Sequence, residues 1–284
     1  MARMSWREAC QLDSSLVSLE RFFTVPPDYA QTLTGGLTNR CWKIVESNGR
    51  AYVWRPTTPI TQAFSISRFQ EFQILSSIQD SGLSPKPVSI NDKGLLVEWL
   101  EGASLADSLS FEQLLEALVA VHNVPTTRIP VAPFNFTARV DHYWIQLKPE
   151  LKSEEYQTIY RDWRNAPSLA EVTATLCHFD LAGYNMVASE AGIQIIDWEY
   201  ATIGDPRLDL TLSIDVADVD EMEAIHQYCQ MRQIEGIDDW FEGVRAWRPR
   251  ANMMAMLWYL LAFQLWGDEY YYQQAEQLKQ QFCT

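Results

Sequence analysis

The segment His178-Phe-Asp180-Leu-Ala-Gly-Tyr-Asn185, followed by Ile195-Ile-Asp197-Trp-Glu199, decides how this chain is read. It sets a candidate base and two candidate metal ligands at a spacing that phosphoryl-transferring enzymes use. Such transfer runs through a loose transition state, so the protein mainly positions the acceptor and neutralises phosphate charge. Asp180 would take or orient the acceptor proton. Asn185 and Asp197 offer hard oxygens suited to Mg²⁺. His178 is expected to brace the loop rather than react. Taken alone, Asp180 and Asn185 also suit an ordinary turn, because both residue types form turns readily. The flanks favour chemistry: Gly192-Ile-Gln-Ile-Ile-Asp197 reads as a strand with a carboxylate at its end.

A site of this kind also needs a cover over the phosphates and a cation against them. Upstream, Thr34-Gly35-Gly36-Leu-Thr38-Asn39 leads into Cys41-Trp-Lys-Ile-Val, then Asn48-Gly49, then Ala51-Tyr-Val-Trp-Arg55. Asn-Gly between two apolar-rich runs predicts a hairpin, and the paired glycines allow close backbone approach to a ligand. By themselves those glycines also fit a plain strand-entry turn. Arg55 ends the second strand, and its planar fork suits phosphate or carboxylate. Residues 67–78 read as a helix with an apolar stripe of Ile66, Phe69, Phe72, Leu75 and Ile78. Glu71 lies off that stripe and is the expected partner of Arg55.

Together these strings resemble the choline kinase and aminoglycoside phosphotransferase superfamily, especially its bacterial choline kinase-like and thiamine kinase-like members. The resemblance is carried by GGLTN (35–39), Arg55 after a hydrophobic strand, VEWLEG (97–102), HFDLAGYN (178–185) and IDWEYATIGDPRLDL (196–210). It implies an α+β, two-lobed protein kinase-like fold: a small antiparallel-sheet N-lobe with one helix, and a larger, mainly helical C-lobe. It also implies catalysis by Asp180 with Asn185 and Asp197, the latter two binding Mg²⁺. ATP would be bound by Gly35, Gly36, Thr38, Asn39, Arg55, Glu71 and the interlobe hinge from Glu98 to Leu100. Glu199 and Trp198 would lie near metal and substrate, and Asp209 would support the loop. Two departures stand out. Phe179 takes a position often small or polar, and Gly183-Tyr184 replaces the usual glycine directly before the asparagine.

The nucleotide-binding lobe is expected over residues 1–100 and the catalytic, acceptor-binding lobe over 101–284. Ser110 and Gln113 form a capping box for a helix that ends near His122, which is read as a core histidine. Pro125 to Pro133 reads as a connection, with further helix around 141–165. The C-terminal region is rich in aromatic residues, among them Trp240, Phe241, Trp247, Trp258, Tyr259, Phe263, Trp266 and Tyr270 to Tyr272. Aromatic faces bind quaternary ammonium groups, so Trp247, Trp258 and Trp266 are candidate acceptor contacts, although helically spaced aromatics also build cores.

Composition excludes several classes. With 37 Asp and Glu against 22 Lys and Arg, the formal charge of −15 opposes nonspecific nucleic-acid binding and favours a cationic small molecule. The longest apolar stretch, Met253 to Trp266, contains Gln264 and falls short of the roughly 20 residues a bilayer span needs, so no membrane association is expected. The N-terminus lacks the basic-then-apolar pattern of a signal peptide. Cys10, Cys41, Cys177, Cys229 and Cys283 are odd in number and lack metal-ligand spacing, which points to a reducing, cytoplasmic compartment.

The expected activity is transfer of the γ-phosphoryl group of ATP to a hydroxyl of a cationic metabolite, choline first, with thiamine, ethanolamine, an aminoglycoside or a sugar as alternatives. A nucleotide-binding regulatory pseudokinase is the non-enzyme alternative, motivated by Arg55 in place of lysine, Phe179 and the displaced Gly183. The sequence does not set the oligomeric state or the choice of ATP over GTP.

Overall fold

Strand β1 (Arg3–Met4) opens a six-stranded antiparallel sheet whose order is β1-β2-β3-β4-β6-β5. The other members are β2 (Tyr29–Thr32), β3 (Trp42–Val45), β4 (Ala51–Pro56), β5 (Pro87–Asn91) and β6 (Gly94–Glu98). The computed structural model describes residues 3–33 and 41–282. Gly35, Gly36, Thr38 and Asn39 lie outside the described residues.

Period-two alternation assigns the two faces of this sheet. Trp42, Ile44, Tyr52, Trp54 and Leu96 point to one face, where they pack with Ala9, Leu16, Leu19 and Phe23. The N-terminal segment that covers them includes α1 (Trp6–Leu12) and is pinned by two indole N–H groups. Trp42 Nε1 donates to Asp13 Oδ2 and Trp54 Nε1 to Ser15 Oγ, both at 2.9 Å. Val53, Arg55 and Val97 point to the other face, toward the cavity described below. The expected hairpin pairs Val45 with Ala51, and Asn48 Oδ1 accepts from Arg50 N at 2.8 Å inside the turn.

Short helix α2 (Pro59–Ala63) precedes α3 (Arg68–Ile78), which Ser67 caps by accepting from Gln70 N. The buried face of α3 differs from the expected stripe. Phe69 is 60% exposed, whereas Arg68, Glu71, Ile74, Leu75 and Ile78 are buried. Glu71 therefore sits on the inward face, where guanidinium groups compensate its charge. An apolar stripe drawn by hydropathy alone passes over such a residue.

Beyond residue 100 the chain is mainly helical. The helices are α4 (Phe111–His122), α5 (Phe136–Gln146), α6 (Glu154–Trp163), α7 (Pro206–Ala217), α8 (Glu221–Met231), α9 (Ile237–Trp266) and α10 (Glu269–Gln280). The Ser110 box forms as read: Gln113 N donates to Ser110 Oγ at 3.2 Å and Ser110 N to Gln113 Oε1 at 3.0 Å. His122 is a core residue, bonded to Tyr228 Oη at 2.6 Å and Asp209 Oδ2 at 3.0 Å.

Two small sheets carry the loops of interest. One has the order β10-β9-β7, from β10 (Gly192–Ile195), β9 (Met186–Ser189) and β7 (Ala103–Ser104); the other pairs β11 (Thr202–Gly204) with β8 (Thr175–Cys177). Among the described residues no helix is long and apolar enough to cross a membrane.

Candidate active site

Asp180 follows β8 on a loop held from beneath by Asp209. The Asp209 carboxylate accepts from His178 N and Phe179 N, each at 2.8 Å, and from the His122 ring. A carboxylate so committed is a brace. His178 Nε2 donates to Ile196 O at 3.1 Å, which ties the loop to the segment after β10 that carries Asp197. Burial holds the His178 ring below its usual pKa, so it stays neutral and structural. The neighbouring Cys177 thiol is raised well above its ordinary value, by burial first and then by Asp209, and is no nucleophile.

Phe179 and Asp197 both adopt left-handed backbone, with φ of 61° and 63°. Such conformations cost energy in non-glycine residues and persist where the surroundings fix them. Phe179 packs on Phe134 at 4.8 Å between centroids, and Gly204 makes room for it: a Cβ there would meet the Phe179 ring at 2.9 Å. Gly183 is similarly required, since a Cβ would approach Leu105 O to 2.8 Å. The displaced glycine thus lets the loop lie against the chain just past β7.

Tyr184 donates its hydroxyl to Asp180 Oδ1 at 2.7 Å, and Asn185 Nδ2 donates to Asp180 O at 2.9 Å and Oδ2 at 3.1 Å. The amide nitrogen of Asn185 is thereby turned to the loop, leaving its oxygen as the group for a metal. The Asp180 carboxyl is raised to about 7, by burial first and then by the Asp197 charge, with the Tyr184 and Asn185 bonds opposing.

Arg55 reaches this centre from β4. Its Nε lies 2.8 Å from Glu71 Oε1, close enough to pair the charges although the N–H is not aligned as a hydrogen bond. Its Nη2 pairs with Asp197 Oδ1 and lies 3.0 Å from Glu199 Oε2. Arg68, which sequence reading missed, adds a second buried guanidinium: Nη1 pairs with Glu71 Oε2 and, at 3.0 Å, with Glu199 Oε2. Its position one turn before Glu71 was the available signal. Burial opposes ionisation of Asp197, yet Arg55 and Arg68 hold its carboxyl below the usual range. Glu199 is raised to about 7, by burial and then by Asp197. Two guanidiniums thus face three carboxylates, an excess of negative charge that suits a cation.

Arg55, Glu71, Asp180, Tyr184, Asn185, Asp197 and Glu199 border one cavity of about 780 Å³, with Arg68 buried behind it. One end is lined by Val53, Val97, Glu98, Trp99, Leu100, Val187 and Ile196. The other is lined by Phe134, Arg139, Tyr143, Tyr200, Trp258, Tyr259, Tyr270 and Tyr271, with Asp180, Asn185, Asp197 and Glu199 also on the wall. Trp198 touches the cavity but is 1% exposed and donates Nε1–H to Ile195 O at 2.8 Å.

Trp247 and Trp266 do not line the cavity. Trp247 sits about 16 Å along α9 from Trp258 at the usual helical rise, and its indole donates to Asp205 Oδ2 at 2.9 Å. Trp266 packs on Phe64 and Tyr271 with centroids 5.6 and 5.1 Å away. Of the three candidate tryptophans on that helix, only Trp258 faces the cavity, bonded to Tyr200 Oη at 2.9 Å.

The model of the phosphotransferase enzyme family, APH, matches residues 30–249, most of the chain. The chain belongs to that family. As a member it is an ATP-dependent phosphotransferase acting on an alcohol-type group. A thiamine kinase of Escherichia coli (strain K12) is 25% identical over 263 residues, covering 91% of each chain. Choline kinase LicA from Streptococcus pneumoniae superposes with a TM-score of 0.72 at 17% identity, over 96% of this chain and 97% of that one. Plasmodium vivax ethanolamine kinase superposes with a TM-score of 0.73 at 19% identity, over 98% and 89%. The fold they share with this phosphotransferase is the expected protein kinase-like one.

Proposed function

We propose that this phosphotransferase moves the γ-phosphoryl group of ATP to a hydroxyl of a small cationic alcohol, with choline and thiamine the acceptors its residues favour. The supporting observation is that Asp180, Asn185 and Asp197 border one cavity that aromatic side chains also line. In this reading residues 1–100 form the nucleotide-binding lobe, with adenine against Glu98 to Leu100, and residues 101–284 form the catalytic and acceptor-binding lobe. Asp180 takes the proton of the acceptor hydroxyl, and Tyr184 and Asn185 hold its carboxylate in place. Arg55, poised between Glu71, Asp197 and Glu199, presents its fork to the phosphates.

The donor set fits Mg²⁺: the Asn185 amide oxygen and the Asp197 carboxylate are hard ligands, and the cluster carries an excess of negative charge. When bound, the ion neutralises charge on the phosphates. Cys10, Cys41, Cys177 and Cys229 are free thiols, which supports a cytoplasmic setting.

The test is acceptor-dependent phosphoryl transfer from γ-labelled ATP across choline, thiamine, ethanolamine and an aminoglycoside. Product with a cationic alcohol supports the proposal. Product with none of them but with an uncharged sugar overturns its acceptor class.

A further inference from the structure

The acceptor end of the cavity contains a cation. Arg139, on the first turn of α5, lies with its guanidinium carbon 5.6 Å from the Phe134 centroid and 5.6 Å from that of Tyr200. Its Nη1 donates to Tyr143 Oη at 3.4 Å, a long bond. Among the described residues no carboxylate pairs with it. The other cations of the interior are treated differently: Arg55 and Arg68 share Glu71 and Glu199, and Arg207 is 2.8 Å from Asp205. Arg139 thus keeps most of its five donors for whatever fills the cavity.

Two consequences follow for the acceptor. A ligand that fills this end removes water from the guanidinium, and burying a charge without a partner is costly. A trimethylammonium head cannot accept a hydrogen bond and adds like charge. Arg139 also already covers the Phe134 and Tyr200 faces, which such a head would otherwise use. The remaining rings, Trp258, Tyr259, Tyr270 and Tyr271, suit a flat ring or a delocalised cation nearer Asp180.

We propose that Arg139 determines acceptor specificity, and that the acceptor is bipartite: its hydroxyl reacts at Asp180 while a hydrogen-bond-accepting edge, such as ring nitrogens or a carboxylate, meets the Arg139 guanidinium. This rests on the phosphotransfer reading only for which group reacts. Thiamine, a hydroxyethyl-thiazolium joined to an aminopyrimidine with acceptor nitrogens, has such an edge; choline does not.

Matched acceptors test it. kcat/KM is measured for thiamine against choline and for serine against ethanolamine, a pair that differs only by a carboxylate. Wild type, Arg139→Met, which keeps the apolar stem, and Arg139→Lys, which keeps the charge without the fork, are compared. The expected result is a preference for the member with the accepting edge, and a loss of about 10- to 100-fold for that member in Arg139→Met, mostly in KM, as for a hydrogen bond to a charged group. Arg139→Lys should fall between. Equal kcat/KM ratios in wild type and both variants would overturn the proposal, as would choline and ethanolamine being preferred throughout.

Calorimetric binding of the same four compounds to Asp180→Asn, with and without Arg139→Met, separates this from the kinase reading. Arg139-dependent binding without turnover in wild type would uphold the subsite and count against the chemistry. Binding indifferent to Arg139, or no binding of any of the four, would overturn the subsite whether or not turnover occurs.

Discussion

Asp180 and Tyr184 show how one hydroxyl can set the working pH of a carboxylate. Burial and Asp197 push the Asp180 carboxyl up to about 7, and the Tyr184 bond counteracts part of that rise. Removing the hydroxyl while keeping the ring, in Tyr184→Phe, should shift the acid limb of the kcat/KM profile upward by about one pH unit. Activity on the alkaline side should fall far less than near neutrality. An acid limb that stays in place or moves down would remove Tyr184 from control of the base. The sequence marked Tyr184 as a departure from the family pattern and left its effect on loop geometry open. Its bond to Asp180 spans four residues within the loop and needs the turn that Gly183 allows, so no spacing rule exposes it.

At the level of elements, helix α3 carries the charged centre of the molecule on its buried face. Arg68 is paired to Glu71 on its own helix and to Glu199 beyond β10. Removing one partner from a buried charge network leaves the others uncompensated, so Arg68→Met should destabilise the protein by about 3–5 kcal/mol in urea unfolding. A loss below about 1 kcal/mol, the scale of a surface pair, would show that Arg68 is not needed to hold these carboxylates. The hairpin at Asn48-Gly49, the Ser110 capping box and the strand before Asp197, which ends two residues earlier than read, at Ile195, were legible because each is fixed by a few adjacent residues. The pairing of Glu71 with Arg55 was read from the order of strand and helix and is present; the burial of that pair and the part played by Arg68 were not, because they depend on Glu199 from another element. The same holds for Trp247 and Trp266: periodicity placed them on a rich aromatic helix, but contacts with Asp205 and Phe64 decide what they touch.

For the molecule as a whole, the cavity concentrates carboxylates that are protonated more readily when folded. Asp180 and Glu199 are both raised to about 7. Between the ordinary carboxyl range near ~4 and pH 7 the folded protein holds protons that the unfolded chain has released. That contribution to stability is complete below the ordinary range and is lost as pH rises through 7. Asp197, lowered by its arginines, contributes in the opposite sense: its stability is present above the ordinary range and lost at lower pH. Asp197, the charged metal ligand, is ionised at both pH 6 and pH 8, so it is the neighbouring Asp180 and Glu199, which gain negative charge as pH passes 7, that should make Mg²⁺ with ADP raise the melting temperature more at pH 8 than at pH 6. A shift independent of pH would mean that these carboxyls are already ionised in the free protein. Family membership and the kinase-like fold were readable from strings spread over the whole chain, but the acceptor was not. The pocket proposed for it draws on residues 134–139, Tyr200 and Trp258, which meet only in the folded chain. The most direct measurement is transfer of label from γ-labelled ATP to a cationic alcohol by wild type and by Asp180→Asn at matched folding. The cavity geometry predicts acceptor-dependent transfer in wild type and a loss of about 10²-fold or more in the variant, the range for removing a general base; transfer that survives Asp180→Asn at near wild-type rate would contradict it.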